Sequence, residues 1–286
     1  MIVLKLSGGL GNQMFQYAFA KKLETLGFIV KIDLIAFEKS NLHGGYQLDF
    51  YKIEMLKVKN KERSYLNSNS YLIRFLRKFG IEMSPALREK SLLFNEDFFK
   101  IKGEEYIEGH FQSEKYFKSI RGVLLKHFVI SQKLSKYTQS IEKKILESKN
   151  SCSIHVRRGD FINKVNKNIH GACSFPYYKK AVEYIQNKVG VVNHFIFSDD
   201  ISWVKENLIL ENATYITSET PRIPHEDIYL MSLCSHNIIA NSSFSWWGAW
   251  LNQNSNKIVM APKKWFENKK LQENSKDIFC ESWKKI

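Results

Sequence analysis

The second half of the chain alternates short β-type apolar runs with helix-type stretches, and each run ends in a polar or turn-forming cluster. The runs are Cys152–Val156, His194–Phe197, Ala213–Ile216, Asn237–Ala240 and Lys257–Met260, the last stopped by Pro262. Helical stretches at Phe175–Lys188, Ile201–Asn207, His225–Cys234 and Ser245–Leu251 lie between them. This pattern leaves few folds open. Parallel neighbours need a long crossover, and right-handed helical crossovers build a doubly wound parallel sheet.

The first half opens in the same style. Ile2–Leu6 reads as a strand and Ser7-Gly8-Gly9-Leu10-Gly11 as a break. Asn12 is placed to cap a helix carrying Met14, Phe15, Ala18, Phe19 and Leu23 on one face. Gly27 ends that helix, and Phe28–Leu34 reads as the next strand. Asn67-Ser68-Asn69-Ser70 reads as a loop, Tyr71–Phe79 as a short basic helix and Glu105–Gln112 as a strand. Ser113 opens a helical stretch. The polar helix from Ser131 to Lys149 then closes a first domain. At roughly 150 residues per domain, 286 residues suggest two. The pattern predicts residues 1–150 and 151–286, with 263–286 as a tail helix packing back on the first domain.

Charge narrows the function classes. With 43 Lys+Arg against 29 Asp+Glu the net charge is +14, so anionic company is expected: nucleic acid, acidic lipid or a phosphate-bearing small molecule. No nucleic-acid motif appears and the lysines are scattered, so nucleic acid is not expected as a partner. No apolar stretch reaches the ~18 residues of a membrane span. A cytoplasmic protein is expected, with peripheral contact to an anionic inner leaflet through its basic faces. Cys152, Cys173, Cys234 and Cys280 lie far apart with no zinc-like spacing, which predicts reduced thiols.

Ligands of open α/β sheets sit at the carboxyl ends of the strands. Three clusters follow strands there: His155-Val156-Arg157-Arg158-Gly159-Asp160, Ser198-Asp199-Asp200 and Asn241-Ser242-Ser243-Phe244-Ser245. Adjacent arginines supply permanent charge and planar donor forks for phosphate. A hydroxyl-rich turn at a helix start holds an anion at the positive end of the dipole. Asp199 and Asp200 can accept from ribose hydroxyls or a base edge. Together the clusters describe a nucleotide-diphosphate site. Three other features read as structure or fall short of a site. Trp246, Trp247 and Trp250 have the spacing of core packing. Gly8-Gly9-x-Gly11 lacks the register of a dinucleotide loop. Asp199 and Asp200 are a poor magnesium pair beside two arginines.

His155-Val-Arg-Arg-Gly-Asp160, together with Gly8-Gly-Leu-Gly-Asn-Gln-Met-Phe-Gln-Tyr-Ala18, resembles the α-1,2-fucosyltransferases of glycosyltransferase family eleven. Asn241–Trp250, Phe197–Asp200 and Gly109–Phe117 are similar to blocks of that family too, although His110 stands where an aromatic residue is expected. The resemblance implies a GT-B-like α/β fold, two Rossmann-type domains facing a cleft. It implies transfer of fucose from GDP-L-fucose to the 2-hydroxyl of a terminal galactose, with inversion and no metal or other cofactor. The bacterial branch it resembles builds surface glycans such as O-antigen, so a lipid-linked, galactose-terminated acceptor is expected.

The donor would lie on His155, Arg157, Arg158, Asp199, Asp200 and Asn241 to Ser245. Departing GDP builds charge on the β-phosphate, which needs fixed donors or a metal. Arg158 is the closer contact in this reading and Arg157 its partner. Asp160 would orient them or accept from the incoming hydroxyl. His155 either packs in its strand or touches the nucleotide. Asn12, Gln13, Gln112 and Glu114 would face the acceptor or the phosphate. Asp160, then Glu114, are the candidates for a general base, and a dissociative reaction with no base is an alternative. A fucosyltransferase of another linkage is the nearest rival reading, and a basic nucleic-acid- or membrane-binding protein is the rival from another class.

Overall fold

The computed structural model describes residues 1–38, 44–59, 86–159, 161, 167–217 and 223–286. The expected loop at Asn67–Ser70, the basic helix at Tyr71–Phe79 and Asp160 lie outside them. The chain forms two units, Met1–Val129 and Ile130–Ile286.

In the first unit, β1 (Ile2–Lys5) leads to α1 (Leu10–Thr25), β2 (Val30–Asp33) and the single turn α2 (Ile35–Glu38). The described strands continue with β3 (Leu56–Lys57), β4 (Leu87–Arg88) and β5 (Tyr106–Glu108), and α3 (Arg121–His127) follows. They pair in parallel in the order β3-β2-β1-β5-β4. The central β1 has Ile2, Val3 and Leu4 fully buried, as a strand covered on both faces requires.

Helix α1 starts two residues before the expected cap. Gly9 is its N-cap, with no side-chain bond, and Asn12 sits inside the first turn. Gly8 makes this possible. Its φ is +80°, and a Cβ there would stand 2.6 Å from Asn12 Nδ2. Only glycine accepts both the left-handed backbone and the close approach.

The second unit begins with α4 (Lys136–Glu147) and continues β6 (Ser151–Val156), α5 (Phe175–Val189), β7 (Asn193–Ser198), α6 (Ile201–Asn207) and β8 (Ala213–Tyr215). Then come α7 (Pro224–Leu233), β9 (His236–Ile238), α8 (Ser243–Leu251), β10 (Val259–Ala261), α9 (Lys269–Glu273) and β11 (Lys284–Lys285). All strands are parallel, in the order β11-β10-β9-β6-β7-β8. Counted within the unit this is 6-5-4-1-2-3, the doubly wound arrangement whose order reverses between its first and fourth strands. The core runs through Cys152, Ile154 and Val156 of β6, Ala181 and Ile185 of α5, and Ile196 of β7.

Two expected boundaries move. The seam falls between Val129 and Ile130 rather than near Asn150. The polar helix α4 belongs with the second unit because Glu226 of α7 binds its start. Glu226 accepts from Ser135 N–H at 2.7 Å, Ser135 Oγ at 2.7 Å and Thr138 Oγ1 at 2.6 Å. The tail belongs to the second unit, and its helix is the short α9. It places β11 beside β10 and packs Trp283 against Trp246, with ring centroids 5.3 Å apart, inside the second unit. The tryptophans of α8 are core: Trp246 and Trp247 are fully buried, and Trp246 Nε1 donates to Ile278 O at 2.6 Å. All four cysteines are free thiols.

Candidate functional site

The switch point of the second sheet lies between β6 and β9, where the crossovers leave to opposite faces and open a crevice. The chain after β6 carries Arg157 and Arg158, and the chain after β9 carries Asn241 to Ser245. Phe244 reaches the ring of His155, centroids 5.5 Å apart, so these two clusters meet. His155 is buried within β6, and its carbonyl accepts from Tyr178 Oη at 3.1 Å. The strand reading of His155 is therefore its place in the fold.

The third cluster joins them through ion pairs. Arg157 Nη1 lies 3.0 Å from Asp199 Oδ2. The other oxygen of Asp199 accepts from the backbone N–H of Arg158 at 2.9 Å. Arg158 Nε donates to Asp200 Oδ2 at 3.3 Å, and its guanidinium lies 3.6 Å over the ring centroid of Trp203. Arg157 is 5.4 Å over the ring of Phe161. Asp200 also caps α6, accepting from Trp203 N–H at 3.2 Å, while its own N–H donates to Ser198 Oγ at 3.0 Å. A Cβ on Gly159 would come within 2.7 Å of Asp199 Oδ2, so the turn hugs this carboxylate.

These contacts change the expected parts. Asp199 and Asp200 hold the arginines, the task assigned to Asp160 from sequence. Among the described residues the cluster pairs two guanidiniums with two carboxylates, Arg157 through Nη1, which an incoming phosphate would have to share, and Arg158 through Nε. Trp203 and Phe161, which cover the guanidinium faces, were not singled out by sequence. Trp203 follows Asp200 by three positions, so the aspartate cap was the only signal that could have found it.

The hydroxyl-rich turn divides in two. Asn241 points inward. Its Nδ2 donates to His170 O at 3.1 Å, Gly171 O at 2.9 Å and Trp265 O at 3.0 Å, and Oδ1 lies 3.4 Å from Cys173 Sγ. It ties down the chain at 170–173, and direct contact with a donor is not what its amide is arranged for. Burial pushes the Cys173 thiol up to about 12, so this sulfur is no nucleophile. Ser242 Oγ caps α8 by accepting from Phe244 N–H at 3.3 Å, and Ser245 is buried with Oγ 3.4 Å from Ser242 O. Ser243 and Phe244 remain partly exposed at the helix start.

In the first unit, Gln112 Nε2 donates to Asn12 Oδ1 at 2.7 Å, joining the loop after β5 to the first turn of α1. Gln13 is fully buried. Its amide donates to Gly8 O at 2.9 Å and Gly45 O at 2.8 Å and accepts from Gln47 N–H at 2.9 Å, so it braces loops rather than facing a ligand. Glu114 pairs with Lys118 at 3.6 Å. Sequence gave no sign of Glu89, just past β4. Glu89 Oε2 accepts from the N–H groups of His110 and Phe111 at 2.6 and 3.1 Å. Those bonds hold a turn in which Phe111 has φ +52°, rare for a bulky side chain. Burial raises the Glu89 carboxyl against the lowering effect of the two N–H bonds, and burial lowers the His110 imidazole. A cavity of 420 Å³ between Tyr17, Tyr51, Lys52 and His127 opens elsewhere in the unit, with Tyr17 Oη 2.8 Å from His127 Nδ1.

Among the described residues no group of three or more His, Cys, Asp or Glu side chains could hold a metal ion, and no helix is long and apolar enough to cross a membrane.

The family model described as Glycosyl transferase family 11 matches residues 1–286. The chain is 35% identical to an Alpha-1,2-colitosyltransferase of Escherichia coli, over 100% of this chain and 99% of the relative. It is 32% identical to the O-antigen biosynthesis glycosyltransferase WbnK of Escherichia coli, over 97% and 98%. Among solved structures it is similar to fucosyltransferase NodZ from Bradyrhizobium, with a TM-score of 0.52 and 11% identity, over 86% of this chain and 92% of that one. That likeness is one of fold: the chain is GT-B-like, with two α/β units built on parallel sheets.

Proposed function

The chain belongs to glycosyl transferase family 11, and from that premise we propose that it transfers L-fucose from GDP-β-L-fucose to the 2-hydroxyl of a terminal galactose. The acceptor is a surface glycan such as an O-antigen, and the anomeric centre inverts. The second unit takes the donor and the first unit the acceptor. The observation that carries this reading is that Arg157 and Arg158, on the loop after β6, are gathered by Asp199 and Asp200, while Phe244 of α8 packs on His155 of the same β6. Two guanidinium forks after one switch-point strand, and a helix N-terminus after its neighbour, are group types suited to a diphosphate.

In this mechanism Arg158 binds the β-phosphate oxygens and stabilises the charge that builds as the C–O bond to GDP breaks. Arg157 assists from the neighbouring position. Asp199 and Asp200 keep both side chains aimed before the donor arrives. These fixed charges do the work a divalent cation would otherwise do. Asn12 and Gln112 offer amide groups to the sugar hydroxyls. Asp160 or Glu114 takes the proton of the 2-hydroxyl, or the proton leaves to solvent after a dissociative step.

A second reading concerns the donor. The 35%-identical relative is named for colitose transfer, and colitose is fucose without its 3-hydroxyl. One assay tests both readings. GDP-fucose and GDP-colitose are offered in turn with β-galactosides, with EDTA present, and NMR of the product gives linkage and anomeric configuration. An α-1,2 product formed in EDTA from GDP-fucose supports the first reading. Preference for GDP-colitose moves the assignment to the second. A product of another linkage, or no transfer despite GDP binding, overturns the galactoside 2-transfer.

A further inference from the structure

We propose that Trp203 is a positioning residue for Arg158, holding its guanidinium plane where the departing diphosphate is met. The inference rests on the donor-site reading above. Trp203 lies in the first turn of α6, and its ring sits 3.6 Å from Arg158 Cζ. At that distance the planar cation lies against the π-face. The edge of the same guanidinium is fixed separately by the 3.3 Å bond from Nε to Asp200.

One local structure supplies both supports. Asp200 Oδ1 accepts from the N–H of Trp203 while Oδ2 takes Arg158 Nε. The cap that starts α6 therefore sets the spacing between the carboxylate and the indole. Asp199 anchors the Arg158 backbone N–H at 2.9 Å. Arg158 is thus held at its backbone, at one edge and on one face. Neither the stack nor the Asp200 bond uses the two terminal nitrogens, which form the fork that pairs with a phosphate. An arginine that is not held this way loses rotamer freedom on binding, and pre-organisation removes that loss.

A packing role for the indole is the competing account, because Trp203 also leans on the core of the unit. The two accounts separate in a double-mutant cycle. Trp203→Leu keeps apolar bulk and removes the π-face, and Trp203→Phe keeps a weaker face. Affinity for GDP, and separately for inorganic pyrophosphate, is measured by calorimetry on wild type, Trp203→Leu, Trp203→Phe, Arg158→Ala and the Leu/Ala double variant. Thermal melts accompany each.

The expected result is a loss of roughly 3- to 30-fold in affinity for Trp203→Leu, an intermediate loss for Trp203→Phe, and no further loss when Trp203→Leu is added to Arg158→Ala. GDP binding also changes the tryptophan fluorescence of wild type more than that of Trp203→Phe. Unchanged affinity in Trp203→Leu overturns the proposal. So does an equal loss in both Arg158 backgrounds, which means that Trp203 touches the ligand itself. If Trp203→Leu fails to fold, Trp203→Phe decides by the same cycle. Pyrophosphate binding without GDP binding refutes the nucleotide reading alone, and the cycle is then read with pyrophosphate. Binding of neither refutes both.

Discussion

Asn241 distinguishes the arrangement seen in the structure from the one expected of its motif. If its amide touched the donor, Asn241→Ala would weaken nucleotide binding and leave stability alone. The structure predicts the opposite order of effects. The side chain is 4% exposed, and its NH2 group serves three backbone carbonyls at 2.9 to 3.1 Å. Two hydrogens shared among three acceptors amount to about two net hydrogen bonds, each worth ~1 kcal/mol. Leaving buried carbonyls unpaired adds ~1 kcal/mol or more. Asn241→Ala is therefore expected to cost ~2–4 kcal/mol in urea unfolding, with GDP affinity reduced only as far as the 170–173 chain is loosened.

Asn241→Asp sharpens the test. A carboxylate facing three carbonyl oxygens is disfavoured when charged, so its folded-state pKa lies above the unfolded value of ~3.9. A group raised on folding contributes most below the unfolded pKa and loses that contribution as pH rises through the folded pKa. The variant should fall behind wild type by up to ~1.4 kcal/mol per pH unit between those two values. Urea denaturation of both proteins at pH 5, 6 and 7 measures it. A stability difference that does not grow with pH, or a stable Asn241→Ala that has lost GDP binding, would refute the reasoning.

Other perturbations have equally direct outcomes. Arg158→Ala should lower kcat by at least roughly 100-fold, the ~3 kcal/mol scale of a lost transition-state donor, and Arg158→Lys should recover little because the planar contacts to Trp203 and Asp200 are gone; a near-normal kcat in either variant contradicts the role. Glu226→Gln should cost ~1–3 kcal/mol, since Ser135 N–H, Ser135 Oγ and Thr138 Oγ1 all donate to the carboxylate. Burial acts to raise the Glu226 carboxyl, but the bonds from Thr138 and Ser135 outweigh it and the net shift is downward. Its contribution is then present above the ordinary glutamate pKa and lost as pH falls through the lowered one, so the gap to Glu226→Gln should close in acid, as urea titrations at pH 3 to 6 would reveal. Gly248→Ala drives a Cβ to 2.7 Å from Met231 Cβ between α8 and α7, and a melt should drop by several degrees, about 1–3 kcal/mol of overpacking.

Much of the second unit was readable from sequence because its strands are short apolar runs and its helices carry their own stops. The expected Ile201–Asn207 helix and the observed one coincide, and β6 differs by one residue. Elements without an apolar signature escaped. Lys284 and Lys285 form β11 through backbone pairing with β10, which no apolar pattern announces. The start of α1 shifted because Gly9, with no side-chain bond, caps the helix in place of Asn12. The seam moved because α4 is bound by a glutamate 88 positions beyond Thr138.

The sequence alone determined where its charged and hydroxyl-rich clusters gather. Alternating βα units put their loops at one sheet edge, and two arginines, two aspartates and a hydroxyl-rich turn had to collect there. Tertiary structure alone decided what each polar side chain does. An asparagine, glutamine or aspartate can face a ligand or a backbone with the same chemistry, and only the position of neighbouring carbonyls and guanidiniums chooses. Asn241 and Gln13 turned to the backbone, Asp199 and Asp200 turned to the arginines, and Trp203 covered Arg158. Those partners come from segments far apart in the chain, so their meeting is a property of the packed fold.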